Sequence, residues 1–167
     1  MKKIFFGLLT SLVLISCGKE KKETIQMPEE VNNYSVNISA VYPEDDSLSV
    51  VYKFDTYFQY EKAVSLKIKG SSELQNLSIE MPKGVAIENI QLTVSTNKNQ
   101  KKLNFQNIQI TNEGKEVFNV LNQSITDYFD FNPGIVLEVD RSCSINFKGE
   151  YPPGLTGNQN LEMKLVK

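Results

Sequence analysis

Three short stretches of this chain combine residue types at spacings that can do chemistry, and the residue that most often does it is absent. The sequence contains no histidine. Serine–histidine and cysteine–histidine nucleophilic systems, histidine metal ligands and histidine general bases are therefore excluded together. Glu44-Asp45-Asp46 places three carboxylates side by side. With backbone carbonyls such a loop offers hard oxygen ligands to calcium. Its spacing is not that of an EF-hand, though, and adjacent acids in a turn more simply keep it solvated, so Glu44, Asp45 and Asp46 are weak metal candidates and no cofactor is expected. In Phe54-Asp55-Thr56-Tyr57-Phe58-Gln59-Tyr60, Tyr57 has the opposite parity to Phe54, Phe58 and Tyr60. Alternation along a strand then turns it to solvent beside Asp55 and Gln59. An aromatic ring flanked by an acid and an amide can stack on a pyranose and bond its hydroxyls, so Tyr57, Asp55 and Gln59, with Tyr151 as a second aromatic, are the candidate ligand-binding residues. The plainer reading is a surface tyrosine, because single exposed apolar groups are normal. Cys143 shares a strand face with Ile145 and Phe147, which reads as a buried thiol acting as a small hydrophobe.

The elements that must position these groups have period two. Tyr34, Val36, Ile38, Ala40 and Tyr42 alternate with polar partners; Val50, Tyr52, Phe54, Phe58 and Tyr60 follow the acidic turn on one parity; Val64, Leu66 and Ile68, then Leu77, Ile79 and Met81, repeat the pattern. Such alternation, broken by turn residues every ten or so positions, predicts half-buried antiparallel strands. Ile87-Glu-Asn-Ile-Gln-Leu-Thr93 and Phe105-Gln-Asn-Ile-Gln-Ile-Thr111 resemble each other, and both change parity at the asparagine, as a β-bulge or a crossing between sheets does. Ser95 to Lys102 reads as a loop and Glu113-Gly114 as a turn. Val117 to Leu121 reads as a strand, and Asn122 to Asp127 as one helical turn. Asn132-Pro133-Gly134 suits a type II turn. Strands are expected again over Ile135–Val139, Cys143–Phe147 and Leu161–Val166, while Gly149 to Gly154 is too rich in proline and glycine for one. Eight to ten short strands with little helix predict an all-β, antiparallel two-sheet sandwich of jelly-roll type. A closed barrel is the alternative; a transmembrane barrel is disfavoured by short, irregular strands without aromatic girdles.

The N-terminus carries a different kind of information. Lys2 and Lys3 precede the uncharged apolar run Ile4 to Ile15, which ends at Leu14-Ile15-Ser16-Cys17. A dozen apolar residues fall short of the roughly 20 that span a bilayer but suit an export signal. The segment resembles the signals of bacterial lipoproteins cut by the lipoprotein signal peptidase: Leu14, Ser16 and Cys17 match that box, while Ile15 is bulkier than usual. The resemblance implies that residues 1–16 are removed. Cys17 then receives a diacylglycerol group and its new amine a further acyl chain such as palmitate, so that two or more chains hold the protein on a membrane. Gly18 in the next position fits sorting to the outer membrane. With Cys17 lipidated, Cys143 has no partner and the domain folds without disulfides. Residues 17–33, with Gly18 to Glu23 charged and Pro28-Glu29-Glu30 following, read as a flexible tether of about 20–25 Å, and residues 34–167 as one domain.

Of 18 basic and 20 acidic residues, Lys2 and Lys3 leave with the signal, taking the net charge from −2 to about −4. A nucleic-acid partner is not expected of such a chain. No glycine-rich phosphate loop is present. A pair of carboxylates could still cleave a glycoside, but a small isolated sandwich offers little cleft, and most acids sit in turns or alternate outward. Tyr128-Phe-Asp-Phe-Asn-Pro-Gly-Ile135 and Gly149-Glu-Tyr-Pro-Pro153 are similar to sandwich modules attached to bacterial surface-glycan machinery, which implies a glycan partner; Phe129 and Phe131 better suit closure of the core. The expectation is thus a lipid-anchored, non-enzymatic envelope protein binding carbohydrate, with a structural or protein-interaction subunit of an envelope complex as the alternative.

Overall fold

The structure, a computed structural model, describes residues 32–166. The signal segment, Cys17, most of the tether and Lys167 lie outside the described residues. The strands are β1 (Tyr34–Tyr42), β2 (Asp46–Phe54), β3 (Tyr57–Phe58), β4 (Val64–Ile68), β5 (Ser71–Glu80), β6 (Asn89–Thr93), β7 (Lys102–Asn112), β8 (Lys115–Leu121), β9 (Phe129–Phe131), β10 (Ile135–Leu137), β11 (Cys143–Ile145) and β12 (Gly154–Gly157); α1 (Ile125–Tyr128) and α2 (Gln159–Leu165) are the helices.

Two antiparallel sheets form. One has the order β10-β11-β7-β1-β5, with β8 also on β7; the other has the order β3-β2-β6-β12-β9, with β4 also on β2. Most connections leave one sheet for the other, as a jelly-roll-like winding requires. The inward residues of both sheets make one apolar core, including Val36, Ile38, Leu48, Val50, Ile90, Leu92, Phe105 and Ile108. β1 alternates without a break between buried and half-buried positions from Tyr34 to Tyr42. Tyr42 is fully buried, and its hydroxyl donates to the Val94 carbonyl at 3.1 Å. That bond satisfies its one polar atom inside the core.

The parity change in β7 is a bulge. Ser39 faces Asn107 but Ala40 faces Phe105, so Gln106 is extra and both apolar sets, Leu103 with Phe105 and Ile108 with Ile110, reach the core. The change at Asn89 has another cause. Residues 85–88 lie outside any strand, and Asn89 opens β6 with its side chain accepting from the Ile90 N–H at 2.8 Å.

Four other local expectations differ from the structure. Leu161 to Val166 is helical, because Asn158 caps α2 by accepting from the Asn160 N–H at 2.9 Å. Leu161 and Leu165, four apart, are buried, whereas Met163 between them is exposed. The proline-rich stretch hands over to β12 at Gly154, where a Cβ would meet the Leu92 carbonyl oxygen at 2.6 Å. The Ile135 N–H donates to the Asn132 carbonyl and closes a turn, yet Gly134 has no positive φ, which excludes type II; a Cβ there would meet the Glu150 carbonyl oxygen at 2.4 Å. Finally, Asn32 and Asn33 are bound to the body rather than free: the Asn32 carbonyl accepts from the Gly84 N–H, and the Asn33 N–H donates to the Asn112 side chain.

β1 is nine residues long, about 30 Å at 3.3 Å per residue, so the sandwich has two well-separated ends. At the near end are Asn32, Gly84, Glu88 and the β2–β3 turn, linked by the Gly84–Asn32 bond and by the Thr56 N–H donating to Glu88 Oε2 at 3.0 Å. At the far end are the acidic turn, Val94 and Pro153, linked through Tyr42 and through the Val94 N–H donating to the Pro153 carbonyl.

Candidate functional site

Phe54 pairs directly with Tyr57 across a two-residue turn in which Asp55 (φ 51°) and Thr56 (φ 69°) are both left-handed. Such a turn suits the twist of a hairpin, and it resets parity. Phe54 and Tyr57 therefore share a face, contrary to the alternation expected through the turn. Phe54, Phe58 and Tyr60 do not enter the core either, since β2 runs past the sandwich edge beyond Tyr52. Tyr57 is 73% exposed, Tyr60 63% and Phe54 41%. The predicted exposure of Tyr57 is thus found, in company that the pattern did not foresee. The Gln59 side chain does not serve it: its amide donates to the Phe54 and Tyr57 carbonyls at 3.4 and 3.2 Å. Asp55 is exposed in the turn. A hollow of about 340 Å³ opens beside the hairpin, lined by Phe58, Gln59, Tyr60, Glu61 and Lys62. The result is an aromatic tip with few converging polar groups.

Tyr151 is exposed, its ring 6.0 Å from that of Phe147. It belongs to the far end, so Tyr57 and Tyr151 do not form one site.

The acidic turn is occupied by its own fold. Asp46 Oδ1 accepts from the N–H groups of Ser47, Thr96 and Asn97, and its Oδ2 accepts from the Ser95 hydroxyl at 2.6 Å. Asp45 accepts from the Gly70 N–H and from Lys69, both at 2.7 Å. The hydrogen bond from Lys69 comes first, and the Gly70 N–H second, among the causes that hold the Asp45 carboxyl below its ordinary pKa. The Glu44 N–H is held by Gln100. The three carboxylates thus do not converge, and no cluster of three such ligands occurs among the described residues.

Cys143 is buried between Leu103 on β7 and Leu137 on β10, and burial pushes its thiol up to about 12. A thiol so protonated is no nucleophile at neutral pH. The loop before it is closed by Asp140, whose carboxyl the Ser142 hydroxyl, then Lys102, hold well below the ordinary range.

The surface that the alternation did not single out is the outer face of β1, β5, β7 and β8. Register stacks it in rows: Ser78, Asn37, Gln109 and Asn119 in one, and Asn76, Ser39 and Asn107 in the next. Ser39 donates to Asn76 at 2.6 Å and Ser78 to Asn37 at 2.7 Å. Each hydroxyl bonds the carbonyl oxygen of an amide across the strand pair and leaves that amide's N–H₂ without a partner among the described residues. At the β8 edge, Glu116 accepts from Gln109 and Asn119. A shallow depression of about 210 Å³ runs over these rows. Neither row contains a charge, in a chain of which 23% is charged. The signal was present as the polar half of each strand, Ser35-x-Asn37-x-Ser39, Asn76-x-Ser78 and Asn107-x-Gln109-x-Thr111; alternation directs the eye to the apolar half.

Such a face offers fixed, neutral donors and acceptors. Desolvating a neutral amide or hydroxyl costs about 1–3 kcal/mol when it is left unpaired, against far more for an ion. The face is therefore suited to a neutral ligand rich in hydroxyls. No family model, curated protein or solved structure matches this chain.

Proposed function

We propose that the chain is a bacterial lipoprotein, anchored through lipid on Cys17 at the outer membrane, whose sandwich is a non-catalytic module for a neutral glycan. The anchor rests on the Leu14–Cys17 box. The observation that carries the binding is the uncharged amide and hydroxyl grid of β1, β5 and β7, with Asn37, Asn76 and Asn107 at its centre. Amide groups answer sugar hydroxyls in both donor and acceptor senses, and the bonds within the grid hold them in place before a ligand arrives. The aromatic tip and Tyr151 stand apart from this face.

The test is a polysaccharide binding screen of the full chain in detergent, with neutral and anionic glycans. Saturable binding to a neutral glycan is expected. Asn37→Ala with Asn107→Ala should weaken it at least tenfold, about 1.4 kcal/mol, while Tyr57→Ala leaves it unchanged and chelation of calcium has no effect. Binding to none of the glycans, or loss only in Tyr57→Ala, removes this reading.

A second reading, a structural or protein-interaction subunit of an envelope complex, is favoured by β5. It is ten residues long and pairs only with β1 among the described residues. Its other edge is open to an added strand, and Leu74 is exposed on it. Site-directed crosslinking from position 74 in cells distinguishes the readings: a discrete protein adduct supports the second.

A further inference from the structure

We propose that the β2–β3 hairpin is a membrane-docking element, which seats Phe54, Tyr57 and Tyr60 in the interfacial layer of the bilayer that carries the Cys17 lipid. This rests on the anchor part of the proposed function but not on the glycan part. Two independent observations meet here. The first is the tip itself: Phe54 and Tyr57, 41% and 73% exposed, flank the two-residue turn, and Tyr60, 63% exposed, follows β3 with its ring 6.1 Å from that of Phe58. Tyrosine and phenylalanine bury apolar ring surface readily, and tyrosine keeps its hydroxyl wet, the combination found where membrane meets water.

The second is position. The body begins at Asn32, whose carbonyl holds Gly84, and Glu88, a few residues on, accepts from the backbone of Thr56 in the hairpin turn. The tip therefore lies at the end of the sandwich where the chain from Cys17 arrives. Cys17 and Asn32 are fifteen positions apart, about 20–23 Å for a coil of that length. That reach brings the near end to the bilayer and leaves the far end, with Tyr151, about 30 Å further out. Charge does not supply the attraction: around the tip Lys62 is outnumbered by Glu61, Asp55 and Glu88, the last accepting from the Thr56 N–H. Docking is thus carried by ring burial and depends little on anionic lipid or salt.

The sequence contains no tryptophan, so one substitution gives a single reporter. The full chain, produced in a bacterium that processes lipoproteins, is reconstituted into vesicles of phosphatidylethanolamine and phosphatidylglycerol with or without brominated acyl chains. Tyr57→Trp should be quenched at least twofold by the brominated lipid, with or without 0.5 M salt, roughly a threefold shorter Debye length than at 0.05 M. Tyr151→Trp, at the far end and also exposed, should be unaffected. Mass spectrometry of the N-terminal peptide reads the lipid on Cys17 separately. Lipidated protein whose Tyr57→Trp emission ignores bromine overturns the docking and leaves the anchor standing. Quenching without lipid on Cys17 keeps the docking and removes the anchor. A blue-shifted Tyr57→Trp emission that is indifferent to bromine means that another protein surface covers the tip, which also overturns the proposal.

Discussion

Asn89 donates its amide to the Gly157 carbonyl at 2.8 Å, and Gly157 has no room for a side chain: a Cβ would lie 2.0 Å from Asn89 Oδ1 and 2.4 Å from a methyl of Leu161. The pair fastens the first residue of β6 to the last of β12 and seats α2 against both. Asn89→Ala leaves the Gly157 carbonyl and the Ile90 N–H unpaired in the core, and should cost about 2–3 kcal/mol. Gly157→Ala should cost about 1–3 kcal/mol through overpacking. Urea denaturation followed by near-ultraviolet circular dichroism reads both, and the double variant should lose less than the sum, because each substitution disturbs the same contact.

The cap of α2 makes a milder case. Asn158→Ala removes the acceptor for the Asn160 N–H and should cost about 1 kcal/mol. Leu161→Ala opens a cavity beneath a fully buried side chain and should cost about 2–5 kcal/mol. Were the segment a strand, the cap variant would have no effect and Met163→Ala would cost about as much as Leu165→Ala.

Deletion of Gln106 tests the bulge. Without the extra residue, Leu103 and Phe105, each 1% exposed, turn outward together if Ile108 and Ile110 stay inward. The cooperative unfolding transition should be lost. Gln106→Ala keeps the residue count, and since Gln106 is exposed, it should change stability by less than about 0.5 kcal/mol.

Acid should weaken the fold in a defined sense. The hydrogen bond from Lys53, at 2.6 Å, and then that from Asn89 hold the Glu162 carboxyl below its ordinary value. A carboxyl lowered in the folded state stabilises above its unfolded value, about 4.3 for glutamate, and loses that contribution as pH falls through the folded one. Asp45 and Asp140 act with the same sign. The melting temperature should therefore fall as pH drops below about 4.3, and Glu162→Gln should flatten that fall.

Cys143 predicts the opposite limb. Its thiol is raised from 9.0 to about 12 by burial, so its contribution is complete below pH 9.0, the unperturbed value, and fades as pH climbs towards the folded one. Iodoacetamide at pH 8 should leave position 143 unlabelled in folded protein and label it fully in urea, as peptide mapping would report.

The sandwich was legible because alternation survives wherever one strand face meets the core: β1 and the second half of β7 appear in the sequence as they stand in the fold. Legibility failed where a local rule overrode the period. Leu161, Met163 and Leu165 alternate as a strand would, but the Asn158 cap and the four-residue spacing of the two leucines decide for helix. Parity could not be carried from Phe54 to Tyr57, because Asp55 and Thr56 turn the chain without the glycine that usually announces such a turn. Of the residues that suggested a site, Tyr57 is exposed as expected, but Gln59 bonds its own hairpin and the acids bond their own loop. The uncharged rows around Asn37 went unread because a polar outer face is what any strand of a sandwich presents, and only the register between strands shows that no charge falls within them.

β12 is the last strand of the chain, yet it lies inside its sheet, between β6 and β9. Neither neighbour can complete its pairing until the residues near position 155 are present, and the core around Leu92 stays open until Leu155 and Leu161 fill it. Collapse would wait for these residues, and the long sequence separation of the pairs would make that final step slow.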